Sequence, residues 1–315
     1  VPKGTARSLA FPCGIYDVCA RDTLVYRMKV LDENVHDALA LMHRLICESV
    51  YDDERRLKDL LVELRNDVEA SLAPGGSSFA WGRVSRRYSR ERAIDELWSG
   101  FTARDFVRAL SSVLKLNKNG DREGAHPLLK GIKTLKDLGS RLVSLRDRIA
   151  SSGCLIHIAS SEDALPGTLS ALDRHFGHFG PFKSRNEALY EEEPWFHYVD
   201  NGKPGSEVFS SSQLQTGFSA LSLRGSRLGS RDYPAELLLS HYLSTAFLWE
   251  EVRMKGGAYG ASASCDPGDA IFVFTSYRDP DPQRSLKAFK KGLESIATEG
   301  LSEALVEKTL IGTYS

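Results

Sequence analysis

No charge of either sign dominates this chain, in which 41 Lys and Arg stand against 42 Asp and Glu over 315 residues. A polyanion binder normally carries a basic excess, so nucleic acid is not an expected partner. Long apolar runs are also missing. The stretch from Glu236 to Trp249 contains Ser240, His241 and Ser244 and is too short and too polar to cross a bilayer, so no membrane partner is expected either. No basic segment followed by an apolar one opens the sequence, and no signal peptide is read there. The first residue is Val, not Met, which suggests processing or a fragment. Cysteine is scarce and odd in number, five in all with no Cys-x-x-Cys, which fits a reducing compartment better than a secreted disulfide scaffold. What remains, 42 % hydrophobic and 26 % charged residues, is the composition of a globular protein of one large or two ordinary domains.

The usual signatures of catalysis are absent too. None of the eight histidines belongs to a His-Glu-x-x-His helix or to its inverted form, and there is no Gly-x-Ser-x-Gly elbow and no Walker loop. His175 and His178 share an i, i+3 spacing, but no third ligand is near in sequence, so they read as a solvent-exposed turn between Gly177 and Gly180 and no metal ligand is expected. Cys13 and Cys19 have a spacing that favours neither zinc nor redox chemistry.

Periodicity organises the rest. Leu24, Tyr26, Met28 and Val30 alternate as in a half-buried strand. Helical patterns follow over 34–50 and 52–72, the second with a Leu57, Leu60, Leu61, Leu64, Val68 stripe and a stop at Pro74-Gly75-Gly76. Thr102 and Asp105 have capping-box spacing ahead of Phe106, Leu110 and Leu114, and 118–124 reads as a loop. Helices are expected over 135–149 and 166–176, with a buried strand at Cys154 to Ala159 between them. Three prolines and the acidic run Glu191 to Glu193 place a domain boundary between Gly177 and Gly205. The run reads as solvated linker charge, or as an attractor for basic peptides. Beyond it come a strand over 213–223 and a long helix from Tyr233 to Lys255. A hairpin of 258–265 and 271–277 then turns at Asp266-Pro267-Gly268-Asp269 as type II, and helices follow over 283–298 and 302–310. Trp98, Trp195 and Trp249 read as core or domain-interface residues.

One segment carries chemical information. A helix ends in Arg253 and Lys255, Gly256 and Gly257 permit the stop, and Ala258 and Tyr259 start a strand of otherwise small residues. Arg253 and Tyr259 therefore flank one tight turn and can reach a common point, the guanidinium as a fork of donors and the phenol as a donor to a developing oxyanion. A basic C-cap beside a tyrosine packed on the sheet explains the same residues. A phosphate cradle is disfavoured, because these glycines follow a helix instead of preceding one.

Arg253 to Tyr259 resembles the Arg-x-x-x-Gly-Ala-Tyr signature of the pitrilysin-type (insulysin-type) zinc metallopeptidases, those with the inverted zinc motif. Leu243 to Ser264, Phe272 to Pro280, Asp53 to Leu60 and Ser78 to Arg83 resemble their presequence-protease and falcilysin subfamily. The resemblance implies an α+β fold of two consecutive pitrilysin-type domains, each a mainly antiparallel sheet packed against helices. Residues 1–185 would be most of a third, non-catalytic domain and 186–315 a fourth domain lacking its last elements. It implies a C-terminal, substrate-gripping part of a zinc-dependent endopeptidase that closes on unstructured, targeting-peptide-like chains. Zinc would be bound in an N-terminal half that is this chain's partner, so the chain alone would be inactive. Arg253 would hold a substrate backbone carbonyl, Tyr259 would donate to the scissile carbonyl, and Gly256, Gly257 and Ala258 would form the substrate loop. A metal-free structural or peptide-binding subunit of the same fold, one that adds a peptide strand to a sheet edge, is the alternative. The expected compartment is a bacterial cytoplasm, with mitochondrial matrix or plastid as alternatives.

Overall fold

The computed structural model describes residues 4–12, 18–115, 126–180 and 205–314. The expected 118–124 loop, Trp195 and the Glu191 to Glu193 run lie outside the described residues. Strands β1 (Gly4–Pro12) and β2 (Val18–Tyr26) pair with each other. Helices α1 (Val35–Cys47), α2 (Glu54–Ala70), α3 (Leu72–Ser85), α4 (Arg90–Ser99), α5 (Phe101–Val113), α6 (Leu135–Ser151) and α7 (Leu165–Phe176) follow. Then come β3 (Gly217–Arg224), α8 (Tyr233–Tyr242), β4 (Gly260–Asp266), β5 (Ile271–Asp279), α9 (Pro282–Glu299) and α10 (Glu303–Tyr314). The chain divides into two compact units, one of residues 1–9, 21–65 and 106–187, the other of residues 10–20, 66–105 and 188–315. It is an α+β protein rich in helix, with a small antiparallel sheet.

The first unit has two helical cores. Leu61, Leu110, Leu129, Ile132 and Leu138 form one, and Leu39, Ile46, Ala171 and Phe176 the other. The α6 helix starts in a full capping box. The Thr134 hydroxyl accepts from the Asp137 N–H at 3.1 Å, and the Asp137 carboxylate accepts from the Thr134 N–H at 2.9 Å. Two expectations fail here. The strand signal at Leu24 to Val30 ends at Tyr26. Cys154 to Ala159 forms no strand: Leu155 is 82 % exposed, and a lone hydrogen bond from the Cys154 N–H to the Gly180 carbonyl takes the place of a ladder. Short apolar runs do not distinguish strand from coil unless a neighbouring strand supplies partners.

In the second unit the sheet has the order β3–β5–β4, antiparallel throughout, with Ala220 opposite Thr275 and Ala263 opposite Phe274. Phe274, Phe289, Leu243, Leu248 and Val252 are almost wholly buried behind it, with the Phe274 and Phe289 rings stacked at 5.2 Å. Both edges meet helical residues. The Ser222 hydroxyl donates to the Val84 carbonyl at 2.8 Å. The Ser244 hydroxyl donates to the Ala263 carbonyl and accepts from its N–H, each at 2.9 Å. Arg92 joins α4 to the β4–β5 connection through Asp266 and Asp269 and stacks on Trp81.

Three local readings are corrected in this unit. Pro74, Gly75 and Gly76 lie inside the first turns of α3 instead of ending a helix. A proline there removes an N–H that has no intrahelical partner anyway. Gly76 is required by contact, since a Cβ would fall 2.2 Å from the Phe218 ring. Thr102 is capped not by Asp105 but by the buried Glu96, whose Oε1 accepts from its N–H and hydroxyl at 3.0 Å each. The 266–269 turn is not type II, because positive φ falls on Ala270 (54°) and not on Gly268. Asp266 Oδ1 accepts from the Gly268 N–H instead, as in an Asx turn.

Candidate functional site

The predicted long helix is continuous from Tyr233 to Met254 but changes its pitch. Leu243–Phe247 and Trp249–Met254 are π-helical, with the Leu248 N–H bonded to the Leu243 carbonyl and the Lys255 N–H to the Glu250 carbonyl at 2.9 Å. Single wide turns of this kind are uncommon and concentrate at functional sites. The helix then closes tightly, the Gly257 N–H reaching the Arg253 carbonyl and the Ala258 N–H the Val252 carbonyl. Gly257 has a left-handed φ of 78°, and a Cβ on Gly256 would sit 2.4 Å from the Val252 carbonyl oxygen. Ala258 is buried in the core, so the small residues between Arg253 and Tyr259 are demanded by packing.

That closure brings the predicted pair together. The Arg253 guanidinium lies 6.0 Å from the Tyr259 ring and 4.0 Å from the Trp249 ring. Arg253 and Tyr259 are both exposed, Tyr259 at 67 %. The Tyr259 ring meets Tyr277 edge to face, and Tyr277 packs on Phe218. The Tyr259 N–H bonds to the carbonyl of Arg278, which itself holds a left-handed φ of 46°. Lys255 does not join the pair. Its ammonium is tied to Glu250 and Glu251 at 2.8 and 2.7 Å. These bonds raise its pKa, and the Lys255 hydrogen bond lowers that of Glu251.

Trp249 is 45 % exposed under the Arg253 guanidinium, and Trp98 is 44 % exposed, so neither is a core residue of the chain. The i, i+4 spacing of Trp249 and Arg253 was the available signal for the first. An exposed guanidinium and an exposed phenol on one rigid turn are suited to holding an extended polar backbone.

Two family models fit the chain, one described as peptidase-associated over residues 16–110 and one as PreP C-terminal domain over residues 224–315. The second contains the whole Trp249 to Tyr259 turn. The chain belongs to the C-terminal part of the pitrilysin-type presequence protease family. An uncharacterized protein of Borreliella burgdorferi is 27 % identical over 289 residues, covering 90 % of this chain and 27 % of its own length. The mitochondrial presequence protease of Xenopus laevis is 25 % identical over 93 % of this chain and 28 % of its own. That of Saccharomyces cerevisiae is 28 % identical over 75 % of this chain and 22 % of its own. The chain thus spans about a quarter of the length of these relatives. No helix among the described residues is long and apolar enough to cross a membrane.

Proposed function

We propose that the chain is the substrate-gripping part of a zinc-dependent endopeptidase that degrades unstructured, targeting-peptide-like chains. In this reading residues 1–185 are its third domain and 186–315 its fourth, and the partner is an N-terminal catalytic half of the same polypeptide. Zinc is held by that half and supplies an activated water there. This chain's own residues bind and orient. The observation that carries the reading is the exposed Arg253–Tyr259 pair, set on a turn that admits no Cβ at Gly256 and favours glycine at Gly257.

Arg253, steadied on the Trp249 face, offers guanidinium donors to a substrate carbonyl. Tyr259 donates its phenolic proton in a hydrogen bond to the scissile carbonyl, a contact that strengthens as that oxygen gains charge. Gly256, Gly257 and Ala258 keep the intervening loop small enough for a backbone to approach. Capture of a peptide by strand addition at β4 is disfavoured, because Ser244 already occupies the N–H and carbonyl of Ala263 in mid-strand. A purely structural subunit has no use for an exposed Arg–Tyr pair. The relatives named mitochondrial or chloroplastic favour an organellar compartment as much as a bacterial cytoplasm.

Tyr259→Phe in the complete polypeptide is expected to lower kcat by about 10²–10³-fold with little change in KM. Steady-state cleavage of an unstructured peptide reads this directly, and an unchanged kcat would remove Tyr259 from the reaction.

A further inference from the structure

The histidines that lack a partner in sequence find one in space. His43 and Cys47, one helical turn apart on α1, face His178, which follows the Gly177 cap of α7. One ligand atom from each of the three lies within 4.8 Å of the other two. This differs from the expectation of an isolated, solvent-exposed turn at 175–178, because the two further donors come from a helix distant in sequence.

We propose that His43, Cys47 and His178 form a binding site for a thiophilic divalent transition metal, Zn²⁺ in chemical class, in the first unit. The inference stands apart from the peptidase reading. Two imidazoles and a thiolate are a donor set for zinc-like ions, whereas calcium and magnesium take oxygen ligands. A tetrahedral site with Zn–N of about 2.0–2.1 Å and Zn–S of about 2.3 Å spaces its ligands roughly 3.3–3.8 Å apart. Small side-chain rotations therefore complete the convergence, and water takes the fourth position.

The support beneath the ligands is rigid. Leu39, Ile46, Ala171 and Phe176 are buried where α1 packs on α7, and the Phe176 ring meets His43 edge to face at 5.9 Å. Glu48 Oε1 lies 3.5 Å from His43 Nδ1, and a carboxylate on one imidazole nitrogen raises the basicity of the other. Cys47 is a free thiol, and no counter-charge other than Glu48 is paired with His43 among the described residues. His175 adds a second sign of unmet bonding. Its Nε2 is buried without a hydrogen-bond partner, and its ring lies 6.4 Å from that of His43 and 5.0 Å from that of His36. On loading, a sulfur–metal bond forms and the thiol proton leaves to solvent.

The test uses the 315-residue chain, reduced and chelator-treated, titrated with Co²⁺ alone and then with Zn²⁺. The expected result is one equivalent of Co²⁺ with a thiolate-to-metal charge-transfer band and four-coordinate visible bands, both removed by Zn²⁺. Cys47→Ser should erase the charge-transfer band, while Cys154→Ser should keep it. His178→Ala, at an exposed position, should weaken binding by at least about tenfold. Absence of the band, its survival in Cys47→Ser, or unchanged affinity in His178→Ala each overturns the site. Far-UV circular dichroism checks the variants, and if Cys47→Ser does not fold, His178→Ala decides alone.

Discussion

Two clusters of reactive side chains in this molecule are held in opposite ways. At the Trp249 to Tyr259 turn the cation is already satisfied, stacked on one aromatic face and close to another, and its competitor Lys255 is neutralised by two glutamates. At the α1–α7 packing the imidazoles crowd one another, and one buried ring nitrogen has nothing to bond. The first cluster is complete as a surface and waits for a chain to be laid on it. The second is incomplete as an interior and is closed by an ion. Pre-organisation for a flexible polymer and incompleteness filled by a small ligand thus leave different marks on similar residue types.

Variants can break this contrast, starting with the largest effect. Saturating Zn²⁺ at about 100 times its Kd should stabilise the first unit by roughly 2.7 kcal/mol, read as a shift in its urea midpoint that is absent in His178→Ala. An equal shift in both proteins would show that the interior cluster is not the part that waits for a ligand. Gly257→Ala forces a side chain into φ 78° and should cost about 1–2 kcal/mol of second-unit stability. It should also impair peptide cleavage by the complete polypeptide. Arg253→Lys keeps the charge but loses the flat stack on Trp249, worth about 0.5–1 kcal/mol at an exposed site. A double-mutant cycle with Trp249→Ala measures that coupling, and a value near zero would mean the shelf does not hold the cation.

The smallest expected effect is a pH dependence. Burial raises the carboxyl pKa of Glu207, but the hydrogen bond and charge of Arg83 and the charge of Arg86 outweigh it and hold the group below its usual range. A depressed folded pKa contributes stability that is present above the unfolded value of about 4.3 and is lost as pH falls through the folded one. Unfolding of the wild type should therefore become easier over that acid interval, and Glu207→Gln should flatten the trend.

The sequence made α1, α2, α5, α6 and α7 legible because each carries its own apolar stripe. The hairpin was legible for a similar reason, since its turn residues and its alternation are contiguous. Pro74-Gly75-Gly76 misled because composition does not say where in a helix a proline falls, nor that Phe218 would need the space at Gly76. The Arg253–Tyr259 pair was readable because one short segment contains it. His43, Cys47 and His178 were not, since spacing along the chain carries no information about helices that meet only after folding.

The π-helical pitch before Arg253 makes length a heritable constraint. A regular helix turns about 100° per residue. Removing any single residue between 243 and 254 would let the wide turns relax to ordinary pitch and swing Arg253 by about that angle, off Trp249 and away from Tyr259. Lineages that keep the grip must therefore conserve the number of residues in this stretch more strictly than their identity, and a one-codon deletion there is more damaging than many substitutions.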